Sequence, residues 1–165
     1  MLTIQTKVHI ANVTGTEMID FLLHCTDREY QAWWEGTHLE FHTIKCYPND
    51  VGNLVYMDEF VGKKRVRMQA IVTEVVPGQR IVWQLKKIIR LPVWLTLDLK
   101  DDAEGVMLTH TIQAGFKGVG KILDPVLRIY FSDEFSRAMD EHATIEFPKL
   151  GEMLRAQVQV APSSP

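Results

Sequence analysis

Cysteine is scarce: Cys25 and Cys46 are the only two in 165 residues, and they form no Cys-x-x-Cys pair. That leaves no basis for a disulfide framework and predicts two reduced, buried and inert thiols in a cytoplasmic setting. Long apolar runs are also absent, and no window reaches the roughly 20 residues that a membrane-spanning helix needs. The start, Met1 to Lys7, lacks the basic residues, apolar core and cleavage site of a secretion signal. Positive charge is thin: the net charge is -3, and the basic clusters are Lys63-Lys64-Arg65 and Lys86-Lys87. Nucleic acid is therefore not expected as a partner. Signs of covalent catalysis are missing too. There is no Gly-x-Ser-x-Gly, and neither cysteine has a convincing histidine partner. Gly115-Phe-Lys-Gly118-Val-Gly120 follows an antiparallel-type strand, which is the wrong setting for a dinucleotide fingerprint.

What is present is ordinary globular composition, 46% hydrophobic and 24% charged. The length suits one domain over residues 1–156, with a flexible tail at 157–165. Leu2, Ile4, Thr6, Val8 and Ile10 alternate with polar residues as a half-buried strand does. Short helices are predicted at 17–23 and 28–34, with Asp27 capping the second and Gly36 ending it. The stretch 37–47 is ambiguous, because His38, Glu40 and His42 share one face of a strand but spread around a helix. Strands follow at 53–61, 65–76, 79–85, 93–99 and 106–114, separated by glycine- and proline-bearing turns.

Asp124 and Pro125 then read as the N-cap and first turn of a long helix reaching Ala156. Phe131, Phe135, Ala138, Met139, Leu150 and Met153 recur along it at helical spacing. His142 and Glu146 lie on that apolar stripe, one turn apart. An imidazole and a carboxylate removed from water are costly unless each finds a partner. Pro148 is expected to bend the helix beside them. The predicted class is α+β: a curved antiparallel sheet of about seven strands around the long C-terminal helix. Between the two lies room for a small hydrophobic or aromatic ligand.

Strand alternation sorts the candidates for that space. Val66, Met68, Ala70 and Val72 should face inward. On the preceding strand only one of Asp58 and Glu59 can do the same. A two-residue Lys63-Lys64 loop sets Glu59 opposite Met68 and inward, whereas a three-residue loop selects Asp58; the shorter loop is favoured. His110 falls on the inward set with Val106, Leu108 and Ile112. Trp83 and Trp94 are expected to line the core or cavity, and one of Trp33 and Trp34 to act as a lid and the other as an anchor.

The order of elements and the run Val72 to Trp83 (Val-Thr-Glu-Val-Val-Pro-Gly-Gln-Arg-Ile-Val-Trp) resemble the START-like (SRPBCC, Bet v 1-like) helix-grip superfamily. More narrowly, Tyr30, His38, an acid on the following strand and His142-x-x-x-Glu146 look like the site of the 2,4-diacetylphloroglucinol hydrolases. In that family two His and two Glu hold zinc, and the enzyme cleaves the bond between an acetyl group and a phenolic ring. The resemblance implies His38, Glu59, His142 and Glu146 as ligands; loop parity leaves Asp58 as the alternate for Glu59, and the 38–42 stretch leaves His42 as the alternate for His38. The resemblance also implies Tyr30 as a substrate contact; in the catalytic roles expected here, Tyr30 orients the substrate and Glu146, or Glu59 in its place, moves a proton. The family chains carry additional N-terminal sequence, and Phe41 replaces a polar residue found in the family. Such a donor set suits zinc, with iron or manganese as substitutes. Tyr30, Phe41, Trp83, Trp94, His110, Phe135 and Met139 are expected around the ligand.

Three functions follow as expectations. The first is a metal-dependent hydrolase of a small apolar carbonyl compound, such as an acylated phenol. The second is a START-like carrier of a lipid or aromatic metabolite. The third is a cofactor-free polyketide cyclase or dehydratase. A homodimer is the default oligomer.

Overall fold

Alternation at the N-terminus builds strand β1 (Leu2–Ala11), after which Thr14 and Thr26 open two short helices, α1 (Gly15–His24) and α2 (Asp27–Trp33). Each threonine forms a reciprocal capping box with the glutamate three residues on, Glu17 and Glu29. The cap of α2 is thus Thr26, not Asp27. The Asp27 carboxylate instead accepts from the Phe41 N–H at 2.7 Å and pairs with His42 Nδ1 at 2.9 Å, tying α2 to the next strand. The structure, a computed structural model, describes residues 1–116, 118, 125, 127 and 130–160, the last three without their side chains.

The ambiguous stretch is strand β2 (His38–Lys45), followed by β3 (Leu54–Val61), β4 (Lys64–Val76), β5 (Arg80–Lys86), β6 (Arg90–Asp101) and β7 (Gly105–Ala114). All pair antiparallel in one seven-stranded sheet of order β1-β7-β6-β5-β4-β3-β2. Helix α3 (Asp133–Val160) lies across it, mainly against β1. This is the helix-grip arrangement predicted from the sequence. The approach is close: a Cβ on Gly151 would stand 2.3 Å from Ile10 Cγ2. Phe135, Met139, Ala143, Phe147, Leu150 and Leu154 form the buried stripe of α3. Each such large side chain contributes about 2 kcal/mol when fully removed from water.

The long helix starts later than the sequence suggests. Pro125, Leu127 and Tyr130 are helical, but the chain leaves helical geometry at Phe131 and Ser132. The Ser132 hydroxyl then accepts from the Phe135 N–H at 3.2 Å and caps α3. The expected cap Asp124 lies outside the described residues. At the other end α3 continues to Val160, four residues past Ala156; residues 161–165 also lie outside them.

Candidate metal centre

Four polar side chains converge at the buried end of the space between sheet and helix. His38 comes from the first position of β2, Glu59 from β3, and His142 and Glu146 from successive turns of α3. One ligand-type atom from each lies within 4.8 Å of all the others. His38 Nε2 is 3.3 Å from Glu146 Oε1 and 3.8 Å from Glu59 Oε2; His142 Nε2 is 3.6 Å from an oxygen of each carboxylate. All four residues are buried, yet both Nε2 atoms lack a hydrogen-bond partner among the described residues.

Local structure explains the convergence. β2 pairs with β3 through a register shift between His38 and Glu40, with His38 opposite Glu59 and Glu40 opposite Asp58. This bulge at Leu39 breaks simple alternation, so His38 and Phe41 point inward together. His42 falls on the other face, half-exposed against Asp27 and the Tyr56 ring, away from the cluster. The β3–β4 hairpin turns through two residues, Gly62 and Lys63, with Gly62 at φ 59°. Even loop length turns Glu59 inward, opposite Val66 rather than the expected Met68. Asp58 faces Arg67 on the outer side and bonds Arg65 at 2.7 and 2.8 Å and Arg67 at 3.1 Å.

The surrounding groups orient the donors. His38 Nδ1 approaches the Tyr30 carbonyl at 3.2 Å, which places the proton on Nδ1 and leaves the Nε2 lone pair aimed at the cluster. The Tyr30 ring stacks on His38 at 3.9 Å, and its hydroxyl donates to Glu59 at 2.5 Å. Trp34 stacks on His142 at 4.8 Å, and Trp33 donates to the Glu146 carbonyl at 2.7 Å, fixing that turn of α3. Burial would raise the Glu59 carboxyl, but His142, the Tyr30 hydroxyl and His38 together hold it below its ordinary range. Burial would lower His142; the two facing carboxylates outweigh that and raise it. Tyr30 stays protonated, pushed well up by burial and by the charges of Glu59 and Glu146.

This donor set fits a metal ion. In tetrahedral zinc sites ligand distances of about 2.0–2.1 Å place neighbouring donors about 3.4 Å apart. The separations of 3.3–3.8 Å straddle that value, and most are too long for good hydrogen bonds. Two imidazole nitrogens without hydrogen-bond partners among the described residues, together with two carboxylates, are a donor set that a borderline divalent ion takes.

Above the cluster is a cavity of about 600 Å³ with a mainly apolar wall. Phe41, Trp83, His110, Phe135 and Met139 line it with Tyr30, where the sequence placed them. Trp94 does not: it pairs with Gln84 and Gln113 on the face opposite Val93 and Leu95, so it sits on the outside of the sheet. His110 is buried, and burial holds its imidazole below the ordinary value; its Nδ1 has no partner among the described residues. Lys64 also lines the cavity, with its ammonium 4.1 Å from the Tyr130 ring centre. Sequence reasoning passed over it, although it shares the inward set of Val66 and Met68.

Sheet order, the gripping helix and the cavity between them are those of the Bet v 1-like helix-grip fold. No family model matches the chain, and no curated protein matches its sequence. Among solved structures it is similar to protein NE0264 from Nitrosomonas europaea, with TM-score 0.58 and 16% identity over 94% of this chain and 96% of that one. It is similar to Ara h 8.0201, with TM-score 0.52 and 9% identity over 86% and 96%. The Aha1 dimer from Colwellia psychrerythraea gives TM-score 0.50 and 15% identity over 88% and 98%. Likeness at these identities establishes the fold and leaves activity to the site residues. The resemblance to the 2,4-diacetylphloroglucinol hydrolases gains nothing from these neighbours and rests on Tyr30 and the four clustered residues. Among the described residues, no helix is long and apolar enough to cross a membrane.

Proposed function

We propose that the protein is a metal-dependent hydrolase of a small, largely apolar carbonyl compound, an acylated phenol being the best fit. One observation carries this reading: two buried, unpartnered imidazole nitrogens share a point with two buried carboxylates at the end of an apolar cavity. His38, Glu59, His142 and Glu146 would hold zinc, or iron or manganese, whose contribution is Lewis-acid activation of a carbonyl and of water. Phe41, Trp83, Phe135 and Met139 enclose the apolar body, and His110 offers its free Nδ1 to a hydroxyl of the compound.

Tyr30 acts as a positioning residue, because its hydroxyl is committed to Glu59. Glu146 is the most accessible of the four, and among the described residues no hydroxyl is held to its carboxylate as Tyr30 is to Glu59. It takes the proton from the attacking water. The water oxygen bonds to the acyl carbon, the acyl–ring bond breaks, and the ring carbon receives a proton from Glu146; an acid and a deacylated ring result. A carrier of an apolar metabolite is the second reading, favoured by the apolar wall, and it requires no ion.

The test is elemental analysis of protein purified without chelator, for wild type and His142→Ala, together with turnover of an acetylated phenol. About one equivalent of metal in wild type, loss in the variant and metal-dependent acid release are expected. Metal-free wild type, or full metal retention by the variant, overturns the proposal; stoichiometric binding of the phenol without turnover turns it into the carrier.

A further inference from the structure

The hairpin between β5 and β6 ends in a three-residue tip, Lys87 to Ile89, closed by the Lys86–Arg90 pair and by the Lys87 N–H donating to the Ile89 carbonyl at 3.0 Å. Ile88 is 96% exposed and Ile89 70% exposed. Hairpin tips ordinarily carry glycine, asparagine or aspartate, and two adjacent isoleucines held in water do nothing for the fold. Their neighbours are Lys86, Lys87 and Arg90. Among the described residues no carboxylate lies within ion-pair distance of these three or of Lys63 and Lys64.

The tip stands at the entrance to the cavity. Lining residues that are also exposed mark where a cavity opens, and Lys64, Lys87 and Tyr130 are among them. Leu91, just after the tip, lines the cavity as well. An apolar tip, a cationic rim and an apolar chamber therefore follow one another from solvent inward.

We infer that this tip inserts into the surface of an anionic lipid bilayer and sets the cavity mouth against it, so that apolar ligands pass between bilayer and cavity. Ile88 and Ile89 enter the acyl boundary while Lys63, Lys64, Lys86, Lys87 and Arg90 face lipid phosphates. Tyr130 sits at headgroup level, where an aromatic ring with a polar end is favoured. Charge selects this occupant over a second copy of the chain: two identical cationic rims repel, and a two-isoleucine tip covers far less than the roughly 800 Å² per partner of a stable interface.

Co-sedimentation of the full chain with phosphatidylglycerol–phosphatidylcholine vesicles, against phosphatidylcholine alone, tests this. Wild type should partition onto the anionic vesicles and release as salt is raised. The double variant Ile88→Ser/Ile89→Ser should bind at least about tenfold more weakly, and Lys86→Glu/Lys87→Glu should lose binding. The isoleucine variant should melt with the wild type, since both side chains stand in solvent. Binding should be equal with and without zinc, so this result stands apart from the metal reading. No sedimentation with anionic vesicles, or isoleucine variants that bind as wild type does, overturns the inference. So does a wild type whose self-association, read by sedimentation velocity, disappears in the isoleucine variant.

Discussion

In a His142→Leu variant the effect on stability should depend on whether metal is present, and the size of that dependence follows from the cluster's geometry. In chelator, losing the imidazole leaves Glu59 and Glu146 buried with the His38 imidazole still facing both. Breaking a buried ionic arrangement by removing one partner costs about 3 kcal/mol or more. For a chain of this size that is about 6–12 °C of melting temperature. Zinc at about a thousand times its dissociation constant adds about 4 kcal/mol to wild type, or about 8–16 °C. The variant retains three donors and gains little at the same concentration. The gap between the two proteins should therefore roughly double when thermal unfolding is repeated in zinc instead of chelator. An equal gap in both conditions would refute the reasoning and leave a closed network of buried ionic side chains with no place for an ion.

Tyr30→Phe keeps the ring stacked on His38 but removes the hydroxyl held to Glu59 at 2.5 Å; zinc affinity measured by competition with a chromophoric chelator should fall about tenfold, and unchanged affinity would show that Glu59 needs no such anchor. The buried Cys25 thiol is pushed up to about 12, first by burial and then by the Glu29 and Asp27 charges, whereas Cys46, against the expectation of two buried thiols, is exposed just past the end of β2. One thiol per native chain should react promptly with a disulfide reagent near pH 8 and the second only on unfolding; two prompt thiols would contradict this. The Arg65 hydrogen bonds, joined by the charges of Arg65 and Arg67, hold the Asp58 carboxyl below its ordinary value. Its stabilising contribution should be complete above about pH 4 and lost as pH falls through the lowered folded value. Denaturant unfolding should thus find Asp58→Asn weaker than wild type at neutral pH and converging with it in acid; a gap that persists in acid would mean that charge is not the cause.

How much was legible in the chain depended on whether the signal was periodic. The alternation of β1, the inward set of β4 and the stripe of α3 survive in any register, so the class of fold and the inward positions of His110, His142 and Glu146 could be read directly. Loop parity decided Glu59 over Asp58, and it worked despite a two-residue error in register, because a shift of two leaves the facing unchanged. Parity failed at β2. The bulge at Leu39 brings Phe41 onto the side of His38 and sends His42 to solvent, and bulges carry no reliable local mark. Trp94 looked like cavity wall by residue type and lies outside, because facing follows register and not hydrophobicity.

From its sequence alone the chain determined a curved sheet of about seven strands gripping one long helix, and that His142 and Glu146 on that helix would be taken out of water with Phe135, Met139 and Leu150. Tertiary structure alone decided that His38 and Glu59, separated in sequence from His142 and Glu146, would meet them at 3.3–3.8 Å. Periodicity is a property of one segment and is written in its residues. Convergence depends on the stagger, bulge and approach of several segments together, and those are settled only as the whole core packs.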